Sequence, residues 1–133
     1  MSSVLLIVAG TIAFIAAYFV YGRYLSRVFE VHDARRTPAH DLHDGVDYVP
    51  ARMPVLLGHH FASIAGAGPI IGPIAAAAYG WGPVFLWIVI GAIFVGAVHD
   101  FASMIASVRH SGRSIGEVIE ARIGYSGKVL FLV

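Results

Sequence analysis

Apolar residues in this chain fall into long unbroken blocks, not at the periods that half-buried strands and surface helices show. The first block, residues 4–21, carries no charge and, at about 1.5 Å per residue, is long enough to cross a hydrocarbon core. A secretory signal core is the competing reading, but no Lys or Arg precedes the block and it is longer than such cores usually are. Over residues 23–57 the character changes: five Arg, five acids, Pro38, Pro50, Pro54 and the turn-like Asp44-Gly45 predict an aqueous loop. A second apolar block covers 58–79 and a third covers 84–108. Between them lies the short uncharged turn Gly80-Trp81-Gly82-Pro83, with Trp81 placed as an interfacial anchor.

Beyond Arg109, Ser114-Ile115-Gly116-Glu117 has the spacing of a capping box, so 114–123 reads as a short amphipathic helix on the membrane surface or against the bundle. Gly124 and Gly127 end it, and a further membrane helix is expected to start at about Val129. That last run is only a turn or so long, which reads as a truncated chain. The expected class is all-α: a polytopic membrane protein, three and a half spans long, whose only partner legible from the pattern is the lipid bilayer.

Composition sharpens this picture. With 58% hydrophobic and 13% charged residues and a mean hydropathy of +0.77, the chain is too apolar for a water-soluble surface. A net charge of +1, with Arg interleaved among acids, offers no basic face, so nucleic acid is excluded as a partner. The absence of Cys removes disulfides, thiolate metal sites and a Cys nucleophile. Five basic residues lie in the first loop and four after the third block, with none in the N-terminal tail or the 80–82 turn. The excess of Lys and Arg on cytoplasmic faces therefore predicts an outside N-terminus, a cytoplasmic 23–57 loop and a hairpin turning outside.

Two constellations invite chemistry. The second block holds Gly66, Gly68 and Gly72 with Pro69 and Pro73 at its centre, where Pro removes a donor and clashes with the preceding turn. A break is expected at Gly66-Ala67-Gly68-Pro69. In lipid such a break persists only beside protein or a water-filled cavity, and transporters use it to bind substrates and ions. These residues, with Ser63, are the candidate substrate path. The competing reading is close packing, since Gly68 and Gly72 form a GxxxG pair. Asp100 is costly in a membrane helix unless paired or hydrated. It shares a face with Ala92, Gly96, Ser103 and Ser107 by helical spacing. Counted from the turn near Trp81, it lies at the depth of Ala62 and Ser63, one turn from His59 and His60. Asp100, His59, His60 and His99 are thus candidate proton-handling groups, against a structural polar clamp near the interface.

A metal site is not expected. Adjacent helical residues diverge by about 100°, so His59-His60 and His99-Asp100 send one ligand each where zinc wants three or four. His32, His40 and His43, with Asp33, Asp41 and Asp44, read as solvated. No HExxH, GxSxG, P-loop or dinucleotide fingerprint appears, so neither an enzyme nor a cofactor is expected.

The runs Asp44-Gly45-Val46-Asp47-Tyr48-Val49-Pro50, then residues 58–69, then Gly96-Ala97-Val98-His99-Asp100-Phe101, then Arg113-Ser114-Ile115-Gly116-Glu117 occur in order and closely resemble the carbon starvation protein A family. The resemblance covers roughly residues 21–120. It implies a transporter several times longer, in the amino acid, polyamine and organocation superfamily, built from inverted five-helix repeats. It further implies uptake of peptides or pyruvate during nutrient limitation, driven by protons, across the inner (plasma) membrane. On that analogy 58–79 is the discontinuous first helix of the first repeat. The partner repeat would be missing and the fragment inactive alone, its partners being the remaining transporter helices, substrate and proton. The alternative is a structural helical module without transport of its own.

Overall fold

The computed structural model describes residues 2–133. Every regular element among them is helical: α1 (Ser3–Val28), the one-turn α2 (Pro38–Asp41), α3 (Met53–Ile64), α4 (Ala67–Ala76), α5 (Trp81–Leu86), α6 (Ala97–Arg109), α7 (Ile115–Ile123) and α8 (Tyr125–Leu132). A 3₁₀ turn, Ala77–Tyr79, extends α4. A π-helical segment, Trp87–Gly96, joins α5 to α6, so that Trp81–Arg109 is one rod of 29 residues.

Two helices, α1 and the Trp81–Arg109 rod, are long and apolar enough to cross a membrane, and α3 with α4 makes a third span if the bent pair is counted as one. Almost none of this apolar surface is covered: Leu25 and Val118 are the only buried hydrophobic side chains among the described residues. A water-soluble domain with so little core would not hold together. The exposed Val, Ile, Leu and Phe side chains are the surface that lipid or further helices solvate, which makes this an integral membrane protein.

The element boundaries depart from the hydrophobic blocks at their polar ends. α1 continues past Tyr21 to Val28, because Arg23 and Arg27 are good helix formers whose long stems let the charge reach water. α3 begins at Met53 rather than 58, with Pro54 in its first turn, where a missing N–H costs nothing. Trp81 and Pro83 likewise belong to the first turn of the rod, and the reversal itself is made at Gly80, whose φ of +108° suits glycine. The last helix begins at Tyr125, four residues before the expected start.

α1 and the rod run parallel. Gly10 meets Phe85 and Val89, Tyr21 packs on Phe94 at 5.1 Å between ring centroids, and Phe29 meets Phe101 edge-on at 5.7 Å. At the end of this pair, Arg109 donates to the carbonyls of Phe29 and Glu30 just beyond α1. A cation there complements the negative end of the helix. The rod's contacts with the α1 end of the chain fall at Phe85, Val89, Phe94 and Phe101. Four α-helical residues overshoot a full turn by about 40°. A purely α-helical rod would therefore rotate residues spaced by four steadily in one direction. In the π segment, where Ala97 N–H bonds the carbonyl of Ala92 five residues back, four residues fall short of a turn and the drift is reversed.

α7 has the capping box its sequence predicts. Ser114 N–H and Oγ both reach Glu117 Oε2, at 2.9 and 2.8 Å, and the Glu117 amide donates to Ser114 Oγ at 3.4 Å. These bonds, led by the Ser114 hydroxyl, hold the Glu117 carboxyl below its ordinary pKa. Gly124, with φ of +100°, folds α8 back on α7, and Lys128 closes the pair on Glu120 at 2.6 Å.

Two glycines test this packing against each other. A Cβ on Gly127 would sit 2.8 Å from Ile123 Cγ2 and 3.3 Å from Ile119 Cγ2, and both Ile side chains are stiff at χ1. A Cβ on Gly10 would sit 3.5 Å from the Phe85 ring, an ordinary contact. Gly127→Ala is expected to destabilise the α7–α8 pair by about 1–3 kcal/mol, whereas Gly10→Ala stays within about 1 kcal/mol of the parent. Thermal unfolding of the two variants in one detergent checks the ranking, and equal midpoints would contradict it.

Candidate functional site

The feature that stands out is the junction between α3 and α4, where the chain bends by 47°. Ala65, at φ −75° and ψ 52°, forms an inverse γ-turn closed by Gly66 N–H on the Ile64 carbonyl at 2.7 Å. Gly66 is extended and starts α4 without a side-chain cap. The break thus falls at Ala65-Gly66, at the leading edge of the expected 66–69 stretch. Ala67, Gly68 and Pro69 are already the first turn of α4, because Pro69 needs no donor there.

Backbone groups accumulate at this point. The carbonyls of Ala62 and Ser63 at the end of α3, and the N–H groups of Ala67 and Gly68 at the start of α4, have no backbone partner among the described residues. Pro73 also leaves the Pro69 carbonyl without its helical donor. A negative helix end and a positive helix end therefore meet within a few residues. The Ser63 hydroxyl donates to the His59 carbonyl at 2.9 Å, which leaves its oxygen as an acceptor one turn from the break.

A groove of about 910 Å³ leads from α4 to the rod. Gly68, Pro69, Gly72 and Pro73 form one wall, and Trp87, Gly91 and Val95 the other. A Cβ at Gly66, Gly68 or Gly72 would meet nothing within 4 Å, so within this chain these glycines serve no close helix contact. Of the expected path residues, Gly68 and Pro69 line the groove, while Ser63, Gly66 and Ala67 lie at the break itself.

The titratable candidates are placed differently. Asp100 Oδ1 lies 3.2 Å from Nδ1 of its neighbour His99, within reach of N–H donation, and this is its only side-chain partner among the described residues. The Asp100 side chain is 40% exposed and that of His99 74%. His59 and His60 are exposed on α3 and their rings make no hydrogen bond among the described residues. The structure therefore joins Asp100 to His99 and leaves His59 and His60 apart. Among the described residues no three His, Asp or Glu side chains come together as metal ligands would.

One arrangement escaped the sequence. Asp44 Oδ1 accepts from the N–H groups of Val46, Asp47 and Tyr48, each at 2.9 Å, and Tyr48 Oη donates to the Ser111 carbonyl at 2.8 Å. The first loop is thereby tied to the turn after α6, where the Tyr48 ring lies over Gly112, and both ends lie on one side of the helical layer. Beside it His110 Nδ1 lies 2.7 Å from the Ala106 carbonyl, and Arg122 donates to His110 Nε2 at 3.2 Å. Only the Asp-Gly pair hinted at the turn; the Tyr48 contact spans 63 residues and has no local signature.

Comparison with known proteins adds to this geometry. The family described as carbon starvation protein CstA matches residues 2–133. The peptide transporter CstA of Bacillus subtilis (strain 168) is 46% identical over 125 residues, which is 93% of this chain and 21% of that protein. The peptide transporter CstA of Escherichia coli (strain K12) is 43% identical over 129 residues, covering 96% and 18%. The pyruvate/proton symporter BtsT of the same strain is 42% identical over 124 residues, covering 92% and 17%. The chain thus spans about a fifth of the length of the curated relatives it matches. No solved structure matches it.

The Asp44 turn carries a pH prediction. Three amides, with Tyr48 foremost, hold its carboxyl below the ordinary value of 3.8. A carboxyl depressed in the folded state contributes its full stabilisation above the unfolded pKa and loses it as pH falls through the folded one. The turn is therefore expected to stay intact from neutral pH down to about 4 and to open below. Carboxyl titration by NMR should place the Asp44 midpoint under 3.8, and a midpoint at or above that value would contradict the three-amide cradle.

Proposed function

The chain belongs to the carbon starvation protein CstA family, and on that footing we propose that it is the opening part of a secondary transporter for small carboxylates, peptides or pyruvate-like acids, taken up with protons during nutrient starvation. The observation that carries this reading is the α3–α4 break with its unpartnered Ala67 and Gly68 amides. Peptides and pyruvate share a carboxylate, and relatives are named for transport of one or the other. Backbone N–H groups at a helix start favour an anion. The facing Ala62 and Ser63 carbonyls suit a cation or an ammonium group.

In this reading Gly66, Ala67, Gly68, Pro69 and Ser63 line the substrate path. Asp100 with His99 takes and returns the coupled proton, and His59 and His60 lie along the same route. The membrane is the inner (plasma) membrane, with the N-terminus outside and the 23–57 loop cytoplasmic, the arrangement that puts both basic segments on the side where Lys and Arg concentrate. The complete fold consists of inverted repeats, of which these helices supply the start of the first. Alternating access needs elements that rock against one another, so residues 1–133 alone do not transport. The protein moves its substrate unchanged and is not an enzyme.

Two variants, made in a chain of the relatives' full length, test the reading. Gly68→Val meets no neighbour in this chain, so it is expected to leave thermal stability unchanged while lowering uptake of labelled pyruvate or dipeptide roughly tenfold or more. Loss of stability together with uptake would instead mark the glycines as packing residues. Asp100→Asn is expected to insert normally and to abolish proton-driven uptake. Unchanged uptake would remove Asp100 from the mechanism and leave it a polar clamp.

A further inference from the structure

A second crevice lies between α1 and the rod, on the face of the rod turned away from α4. Phe14, Ala17 and Gly22 form one wall and Ile93, Ala97 and Phe101 the other, and Arg23 and Arg27 line it as well. Those two Arg are four residues apart on α1 and so share a face. Neither has a carboxylate partner among the described residues, where the ion pairs are Arg36–Asp41, His99–Asp100 and Lys128–Glu120. Neither donates a side-chain hydrogen bond among the described residues.

The length of the crevice limits what can fill it. From Phe14 to Arg27 it covers about 20 Å of helix axis. A membrane-spanning helix needs about 30 Å of hydrocarbon contact. Below Phe14 the crevice closes, because Gly10 brings α1 against Phe85 and Val89. The opening therefore extends through one leaflet and stops near mid-membrane. Tyr18 and Tyr21, beside the Arg residues, mark the headgroup level.

We propose that this crevice is a binding site for one anionic phospholipid, whose phosphate pairs with Arg23 and Arg27 and whose acyl chain lies between α1 and the π-helical segment. The chemistry is that of basic pockets between membrane helices, which hold acidic lipid headgroups. The inference requires membrane insertion and is independent of the transport reading, so failure of one leaves the other standing.

The test uses the full-length protein, purified and delipidated in detergent, with phosphatidylglycerol, phosphatidylcholine and glycerol 3-phosphate as probes. Phosphatidylglycerol is expected to raise the unfolding midpoint, and the other two are not. In the double variant Arg23→Gln/Arg27→Gln the basal midpoint should be retained while apparent affinity for phosphatidylglycerol falls roughly thirtyfold. Ala97→Trp, which fills the crevice and leaves both Arg in place, should lose the lipid shift as well. Equal shifts with phosphatidylcholine, an equal response to glycerol 3-phosphate, or an undiminished shift in the double variant would overturn the proposal. So would a photo-reactive residue at position 14 that cross-links to polypeptide instead of lipid.

Discussion

Hydrocarbon supplies no hydrogen bonds, so each backbone N–H and C=O of a spanning segment has to find its partner in protein, in trapped water or in a ligand. α1 and the Trp81–Arg109 rod are unbroken over 26 and 29 residues, so between their first and last turns the helical ladder supplies those partners. The α3–α4 pair has no such continuous ladder, because the γ-turn at Ala65 ends one and Gly66 opens another. The carbonyls of Ala62 and Ser63 and the amides of Ala67 and Gly68 have no backbone partner there among the described residues. This is the place in the chain where lipid is not an adequate solvent. The same defect that would destabilise a plain anchor offers a polar guest both donors and acceptors.

The rod lies between α1 and the α4 groove. Phe85, Val89, Phe94 and Phe101 meet the α1 end of the chain, and Trp87, Gly91 and Val95 line the groove opposite α4. A regular α-helix drifts about 40° for each step of four residues. The π segment reverses the drift over residues 87–96, where the rod passes both α1 and the groove.

Much of this was legible in the sequence. The apolar blocks of residues 4–21, without a charge, and 84–108, with Asp100 alone, imply spanning helices, and the Gly-Pro cluster implies a break because Pro69 and Pro73 each lack a ladder donor. The capping box at Ser114 and Glu117 is local chemistry and was readable as such. The helix ends were not. Arg23, Arg27 and Pro54 look like loop residues, yet Arg propagates a helix and Pro starts one at no cost. The π segment has no code of its own. A carboxylate in a membrane helix announces itself in the sequence, but its partner is set by side-chain direction, and Asp100 meets His99 while His59 and His60 stand apart.

Glycine is used in two ways in this chain, and the contrast bears on whether the cluster at 66–72 is packing or path. Gly10 and Gly127 are filled positions: a ring or an isoleucine stands where a side chain would begin, and helices approach closely because of it. Gly66, Gly68 and Gly72 are open, with no atom within 4 Å of the missing Cβ. An open glycine in the middle of a helix costs about 1 kcal/mol relative to Ala and gives no contact in return. Two of them follow one another at i, i+4 on the wall of a groove, beside prolines that also weaken the helix. Gly66 suits the N-cap it occupies, but local preference alone would favour Ala at Gly68 and Gly72, so these two make physical sense if something outside these helices has to come close to their backbone. Gly68 lies next to the unpartnered amide of Ala67 and lines the groove itself, which places the open surface and the unsatisfied donors side by side.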